Sequence, residues 1–181
     1  LDRAAADMLV DDLVRLARDE GKTLIAVSHD PAVHERMDQV IEMADGQVRV
    51  AVSAAAVNFP DVLLVAGEYQ VKVPPPFVPG SEFAGTVVEV ADDVSTPVAG
   101  DRVFGTGLVG AFAEEVVVAA GAVTPIPDGV AEADAAAFGV AHRTAWHTLR
   151  SVAGVRPGDE VVVLGAGGGV GLAAVQLAAH L

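Results

Sequence analysis

The sequence predicts a chain of mixed α/β and β structure, and three patterns along it support that prediction. Residues 1–46 alternate between helical and strand patterns, which is typical of an α/β fold. Residues 47–150 carry short apolar strands separated by glycine, proline and aspartate turns, which favours a small β-barrel. Residues 151–181 contain an apolar strand, a glycine-rich turn and an apolar helix. These three ranges are the predicted domains.

The composition limits the class of function. Of the 181 residues 52% are hydrophobic, which excludes a disordered acidic tail although the formal net charge is -14. That charge argues against binding to nucleic acid or to anionic membranes. The sequence contains no cysteine, which excludes disulfides and thiolate zinc sites. No apolar segment reaches the ~20 residues of a membrane helix and no signal core follows Leu1, so we expect a cytoplasmic protein without a membrane span.

The first range begins with an amphipathic helix over residues 3–19. Its apolar stripe consists of Leu9, Leu13, Leu16 and Ala17. Gly21 is typical of a helix C-terminus, and the apolar run over residues 22–29 predicts a buried strand. Asp30 and Pro31 predict the N-cap and the first position of a second helix.

Strands dominate the next range. A strand, a tight turn and a second strand are predicted over residues 39–52, followed by a short helix that begins at Pro60. A proline-rich loop covers residues 71–82. Three further strands are predicted at "FAGTVVEV", "DRVFG" and "AFAEEVVV". Residues 131–139 and 140–152 have helical patterns.

The glycine-rich turn carries the clearest chemical signal. In "EVVVLGAGGGVGLAAVQLAAHL" an apolar strand leads through Ala166-x-Gly168-x-x-Gly171 into a helix. Glycines let backbone amides approach a pyrophosphate, and a helix N-terminus attracts its negative charge. The alternative is a tight turn without a ligand. The residue that reads the adenosine ribose is expected about 20 positions further on, past Leu181, so we expect this chain to bind a dinucleotide weakly or not at all.

Several segments occur in an order that one family shares. They include "AAVNFPDVLL", "FVPGSEFAGTVVEV", "GAFAEEVVV", "AAAFGVAHRTAWHTL" and "VRPGDEVVVLGAGGGVGLAAVQLA". With them, the sequence from about Gly46 onward resembles the zinc-independent quinone oxidoreductases of the medium-chain dehydrogenase/reductase superfamily. The resemblance implies a GroES-like catalytic domain followed by the start of a Rossmann domain. It also implies hydride transfer from NADPH, with NADH as the alternative, to a small quinone or activated alkene, and a homodimer in the intact family.

The resemblance assigns roles to individual residues. Asn58 and Thr144 would face the nicotinamide end of the cofactor, and Asp61 would support the loop that carries Asn58. The residues expected at the pyrophosphate are Ala166, Gly168, Gly169, Val170 and Gly171. Better-known members carry a tyrosine two places after the position of Asp61, where this chain has Leu63. Tyr69 is the nearest phenol in the sequence, and a packing role fits it equally well.

No metal site is expected. The triplet Gly80-Ser81-Glu82 stands where zinc-dependent relatives carry a histidine ligand, and no thiolate is available elsewhere. His142 and His147 lie five positions apart without ligand partners, so we interpret them as packing or surface residues. The implied hydride transfer is therefore metal-free.

Residues 1–46 resemble a different protein. Leu1-Asp2 and "LVRLARDEGKTLIAVSHDPAVHERMDQVIEMADGQV" resemble the end of the D-loop, the H-loop and the final hairpin of an ABC transporter ATP-binding subunit. By that resemblance His29 would sense the γ-phosphate of ATP. The phosphate-wrapping G-x-x-x-x-G-K-[ST] loop would lie upstream of Leu1. We therefore expect no ATP hydrolysis and treat His29 as vestigial.

The stretch between residues 42 and 59 suits both resemblances, because each family places a turn and then a strand there. We therefore expect a chimera of two incomplete fragments joined near residue 46, inactive as an oxidoreductase in this form. Two alternatives are a working transporter ATPase subunit, if the P-loop lies upstream, and a chimeric product without function.

Overall fold

The computed structural model describes residues 3–22, 24, 31–38 and 45–181. The chain divides into two compact units, Leu1–Glu42 and Met43–Leu181. This division lies close to residue 46, where the sequence pattern changes. His29, Asp30 and nearly all of the two strands predicted over residues 22–29 and 39–43 lie outside the described residues.

The first unit contains the predicted amphipathic helix, α1 (Arg3–Asp19), which confirms that prediction. The chain leaves it through Gly21, whose φ of 62° is the left-handed conformation that glycine adopts readily. A short helix, α2 (Pro31–His34), begins at Pro31 as predicted. The apolar stripe of α1 is exposed, with Leu9, Leu13 and Leu16 at 49%, 42% and 54% of their full accessibility. The four-residue α2 contacts α1 but is too short to cover that stripe.

The second unit is built on one antiparallel sheet. Its strands are β1 (Gln47–Ala56), β2 (Glu82–Val90), β3 (Arg102–Thr106), β4 (Glu115–Ala119) and β5 (Val123–Pro125). Their order across the sheet is β4-β1-β2-β3-β5. The four strands predicted in this range from apolar runs between turn residues are present, and β5 is an addition. Where a barrel is predicted, the described residues form an open sheet with β4 and the three-residue β5 at its edges.

The larger of two buried clusters lies on one face of this sheet, and a smaller one of Ala84, Ile126, Ala135 and Ala136 lies on the other face, under α4. The larger cluster consists of Val48, Val50, Phe83, Val87, Val103, Ala111 and Val116. Burying a valine or phenylalanine side chain contributes about 1.5–3 kcal/mol each, so this cluster is the main source of stability in the unit. Arg49, between two buried valines of β1, points to the opposite face and bridges Glu89 and Glu115 at 2.8 and 2.7 Å.

Helices flank the sheet and lead to the end of the chain. They are α3 (Phe59–Val65), α4 (Glu132–Ala136), α5 (Gly139–Trp146) and α6 (Gly169–Ala178), and a π-helical segment (His147–Val152) continues α5. α4 packs on β1 and β2, and α5 packs on α6 and contacts β3. In the parts of the chain that the structure describes, no helix is both long and apolar enough to cross a membrane.

One predicted element of this unit is wrong. Residues 160–164 do not form the buried strand that precedes the glycine-rich turn. Val162 and Leu164 are 85% and 92% exposed. A strand needs a hydrogen-bonded neighbour, and none of the five described strands lies beside this segment.

Candidate functional site

Asn58 and Asp61, two of the residues to which the resemblance assigns a role, lie together at the start of α3. Asn58 is the N-cap residue, with extended dihedrals of φ -116° and ψ 157°. Its backbone N–H donates to Oδ2 of Asp61 at 2.7 Å, which is the return hydrogen bond of a capping box. Asp61 is only 2% exposed. The backbone of Asn58 is therefore held by a buried carboxylate three positions further on.

Glu82 is a second buried carboxylate beside Asn58. It begins β2 and is 1% exposed. Oε1 accepts from Nδ2 of Asn58 at 2.8 Å, and Oε2 accepts from the backbone N–H of Val140 at 2.7 Å. In the sequence Glu82 stands out only as the third residue of the triplet Gly80-Ser81-Glu82, and this role was not predicted from it. The available signal was an acidic residue at the head of an otherwise apolar strand.

The contact with Val140 places the N-terminus of α5 at this site. The first N–H groups of a helix have no partner within the helix, and the N-cap residue Phe138 has no side-chain acceptor to offer them. Glu82 provides that acceptor from another element. Its negative charge is also favourable there, because the helix dipole is positive at the N-terminus.

The structure places Thr144 on the same helix, one turn beyond Val140, with an exposed side chain. Tyr69 lies after the far end of α3, where its backbone N–H donates to the carbonyl of Leu63 at 3.1 Å. α3 has seven residues and is about 10 Å long, so the Tyr69 backbone is well separated from Asn58.

The glycine-rich turn adjoins α5 as well. Gly165 has a φ of 76°, and its carbonyl accepts from the N–H of Gly168 at 3.0 Å. Ala166 lies in this turn, and α6 begins at Gly169, where an added Cβ would lie 4.0 Å from the Cβ of Ala141. α5 thus connects the Asn58–Glu82 pair with the turn.

The turn leaves room for an anionic group. A Cβ added to Gly168 would meet only the carbonyl of Gly165, at 3.6 Å, and one added to Gly167 would meet nothing within 4 Å. Val170, in the first turn of α6, is exposed. The first amides of α6 have no partner within the helix, which is the arrangement that binds phosphate groups. These residues fit the pyrophosphate of a dinucleotide.

A groove of about 290 Å³ lies beside this junction, lined by Phe138, His142, Arg143, Trp146 and Leu177. His142 stacks on Phe138 with ring centroids 4.4 Å apart, and His147 is exposed. Both positions agree with the packing and surface roles expected of them.

A metal site is not formed in the described ranges. Within them, no group of three or more histidine, aspartate or glutamate side chains is arranged to hold an ion. Ser81 is buried, and its Oγ has no hydrogen-bond partner among these residues.

Comparison with known proteins gives the context of this site. Residues 44–128 match the alcohol dehydrogenase GroES-like domain family. The chain is 41% identical over 152 residues to a quinone oxidoreductase-like protein 2 homolog of Nematostella vectensis. The matched segment covers 83% of this chain and 42% of that relative. The chain thus spans about two fifths of the length of this curated relative.

Solved structures similar to this chain include a quinone oxidoreductase and an enoyl reductase. The quinone oxidoreductase from Thermus thermophilus, solved also in complex with NADPH, matches with a TM-score of 0.69 and 38% identity over 79% of this chain and 45% of that one. The CurK enoyl reductase matches with a TM-score of 0.68 and 29% identity over 80% of this chain and 46% of that one.

Proposed function

We propose that this chain takes part in hydride transfer. The comparisons support an oxidoreductase of the medium-chain dehydrogenase/reductase superfamily, and this is the premise of the proposal. On this premise the chain carries the hydride-transfer site of a nicotinamide-dependent enzyme that works without zinc. The cofactor is NADPH, and the acceptor is a small quinone or activated alkene.

One observation carries this proposal. Asn58 is fixed between two buried carboxylates, and α5 links it to a glycine-rich turn that fits a pyrophosphate. A dinucleotide bound at the turn would extend along α5 towards Asn58. A polar residue held rigidly at that end is what the positioning of a cofactor for hydride transfer requires.

The residues near Asn58 suit an apolar acceptor. Val57, Phe59 and Val62 are 74%, 74% and 56% exposed, although large apolar side chains are usually buried. A bound nicotinamide would supply the hydride. The protein would orient the reacting groups through Asn58 and Thr144 and exclude water with these apolar side chains.

The residues do not fit a catalytic zinc ion. Ser81 occupies the expected ligand position, and the sequence has no cysteine. Zinc in such sites takes thiolate or imidazole ligands, and a serine hydroxyl is not among its usual ones. No step in the proposed reaction therefore involves a metal.

Binding of the cofactor can be tested by saturation-transfer NMR with NADPH and NADH, a method that detects weak complexes. We expect transfer to the nicotinamide and ribose protons of NADPH and its loss in Gly168→Val, whose side chain would fill the space left for the pyrophosphate. Gly121→Ala is the control, because Gly121 has no neighbour within 4 Å of the added Cβ and lies away from the turn. Of the two outcomes that the sequence allows, weak binding or none, the proposal requires weak binding. No transfer in the wild type, or undiminished transfer in Gly168→Val, would therefore overturn it.

Of the two acceptor classes proposed, the similarity to the CurK enoyl reductase favours the activated alkene, so enoyl reduction stands beside quinone reduction as a candidate reaction. Both reactions deliver a hydride to an activated double bond and differ only in the acceptor. Saturation transfer to 1,4-benzoquinone and to an α,β-unsaturated thioester in the presence of NADPH, which needs binding but no turnover, distinguishes them. Preference for the thioester would favour the enoyl reductase.

The assignment of residues 1–46 to an ABC transporter segment remains a proposal that rests on the sequence resemblance alone, because the comparisons give no support for it. A DNA read across codons 40–50 tests the fusion with the ABC transporter segment: a continuous read supports it, and reads that separate there overturn it. ATP hydrolysis that His29→Ala abolishes would overturn the vestigial role of His29. The homodimer and the cytoplasmic location expected from the sequence also remain predictions.

A further inference from the structure

The hydrogen bond to the Glu82 carboxylate fixes the orientation of the Asn58 side-chain amide. Both oxygens of Glu82 accept hydrogen bonds, one from Nδ2 of Asn58 and one from the backbone N–H of Val140. A carboxylate has no donor, so Asn58 must present its NH₂ group to it. The reversed amide would place two acceptors together inside a site that is 1% exposed at Glu82, which is costly. Oδ1 of Asn58 is therefore the end that faces away from Glu82, at the first turn of α3, where the capping box pairs the Asn58 side chain with the backbone N–H of Asp61. An amide oxygen has two lone pairs, so it can accept from that N–H and from a ligand at the same time.

We propose that Glu82 is a positioning residue that makes Asn58 present an acceptor, Oδ1, to the bound ligand. The site thereby selects a ligand group that donates a hydrogen bond, such as a hydroxyl or a carboxamide N–H. This inference rests on the proposed function only in taking that ligand to be the nicotinamide end of the cofactor.

The same carboxylate also positions α5. Glu82 bonds to Asn58 over 24 positions of sequence and to Val140 over 58. One buried group therefore fixes both the loop before α3 and the first turn of the helix that carries Thr144. Movement of either element would break a hydrogen bond to the carboxylate that both share.

Glu82→Gln tests the amide orientation without a change of volume. The backbone N–H of Val140 cannot turn round, so the single amide oxygen of the introduced glutamine stays bonded to it. The NH₂ of that glutamine then faces Asn58, which satisfies it only by reversing its own amide. The hydrogen bonds remain complete, but Asn58 now presents a donor to the ligand. Glu114→Gln, at an exposed position, is the matched control.

Asn58 is the only asparagine in the sequence, so ¹⁵N-asparagine labelling gives one side-chain amide signal, and ¹⁵N-glutamine labelling adds the glutamine amides. In the wild-type chain we expect the Asn58 protons to exchange with water about tenfold or more slowly than those of the exposed Gln70. In Glu82→Gln the Asn58 signal should lose this protection, and a protected signal from the introduced glutamine should appear. Fast exchange of Asn58 in the wild type overturns the proposal, whether or not the variant folds.

Saturation transfer to NADPH reports the effect on the ligand. We expect Glu82→Gln to weaken binding about tenfold, as loss of one hydrogen bond predicts, and Glu114→Gln to leave it unchanged. The double variant Asn58→Asp with Glu82→Gln should recover binding, because the introduced carboxylate accepts from the introduced glutamine and again offers an oxygen to the ligand. Unchanged binding in Glu82→Gln, or no recovery in the double variant, overturns the role in ligand selection.

The two proposals fail in different ways. If Asn58 is protected and reverses in Glu82→Gln but the wild type shows no transfer to NADPH, the proposed function fails and the positioning of the amide stands. If the wild type binds NADPH and Glu82→Gln binds it equally, the proposed function stands and the selection of a donor group fails.

Discussion

Gly139 lies so close to Glu82 that a Cβ on residue 139 would be 2.9 Å from Oε2. The same Cβ would be 2.7 Å from Cγ2 of Thr106. The absence of a side chain at the start of α5 thus allows the helix to approach the buried carboxylate. Any larger residue must displace the helix, the carboxylate or β3.

We therefore expect Gly139→Ala to destabilise the second unit. The overpacking costs about 1–3 kcal/mol, which exceeds or offsets the ~1 kcal/mol that alanine gains over glycine in a helix. Urea unfolding followed by the fluorescence of Trp146, the only tryptophan and itself on α5, measures the change. Gly121→Ala, in open space, should leave the midpoint unchanged. Equal midpoints for both variants would contradict the close approach.

The capping box predicts a stability loss for Asp61→Ala. The change removes the acceptor of the Asn58 N–H in a buried setting, and leaving such a donor without a partner costs about 1–3 kcal/mol. Asp92→Ala, at an exposed turn position, removes a carboxylate of the same charge and should have little effect. The same urea experiment compares them. A loss no larger than that of Asp92→Ala would show that the hydrogen bond does not stabilise α3.

Two glycines of the turn should respond differently to alanine. A Cβ on Gly171 would lie 2.2 Å from the carbonyl oxygen of Gly165, so Gly171→Ala must push α6 away from the turn. Gly168→Ala meets only an ordinary contact at 3.6 Å. Hydrogen exchange of the α6 amides should accelerate in Gly171→Ala and remain unchanged in Gly168→Ala. Equal protection in the two variants would argue against this packing.

The pair of Arg102 and Glu132 predicts a dependence of stability on pH. The hydrogen bond from Arg102, 2.8 Å from Glu132, lowers the pKa of that carboxyl. A lowered pKa favours the ionised form in the folded state. The contribution of the Arg102–Glu132 pair to the free energy of unfolding is therefore present above the unfolded pKa of about 4.3. It is lost as the pH falls through the lower pKa of the folded state.

This contribution is measured by comparing the urea midpoints of the wild type and Glu132→Gln. The comparison runs from about pH 6 to pH 3, a range that brackets the unfolded pKa. We expect the wild type to be more stable at the upper end and the difference to shrink on acidification. High salt should reduce the difference at the upper end, since the pair is partly exposed. A difference independent of pH would rule out the ion pair as its source.

The composition of the site predicts that the purified chain holds no zinc. Ser81 and the absence of cysteine leave no set of thiolate or imidazole ligands for it. Metal analysis after dialysis against excess zinc and then buffer should show a substoichiometric amount. One tightly held zinc ion per chain would refute the prediction.

Local pattern determined much of this protein. The 3.6-residue period and Gly21 define α1, and its bounds follow. Asn58 and Asp61 are three positions apart, and their capping hydrogen bond depends only on the start of one helix. The glycine turn before α6 is likewise a property of consecutive residues. Each of these features is encoded within one or two turns of chain.

Only the tertiary structure decided the role of Glu82 and the fate of residues 160–164. Glu82 reaches Asn58 and Val140 because the pairing of β1 with β2 brings distant segments together, and no short-range pattern encodes that pairing. The apolar run over residues 160–164 has strand character, but strand formation requires a hydrogen-bonded neighbour, and none of the described strands provides one. A sequence pattern specifies the conformation that a segment favours, whereas its partners depend on which other segments the fold brings alongside it.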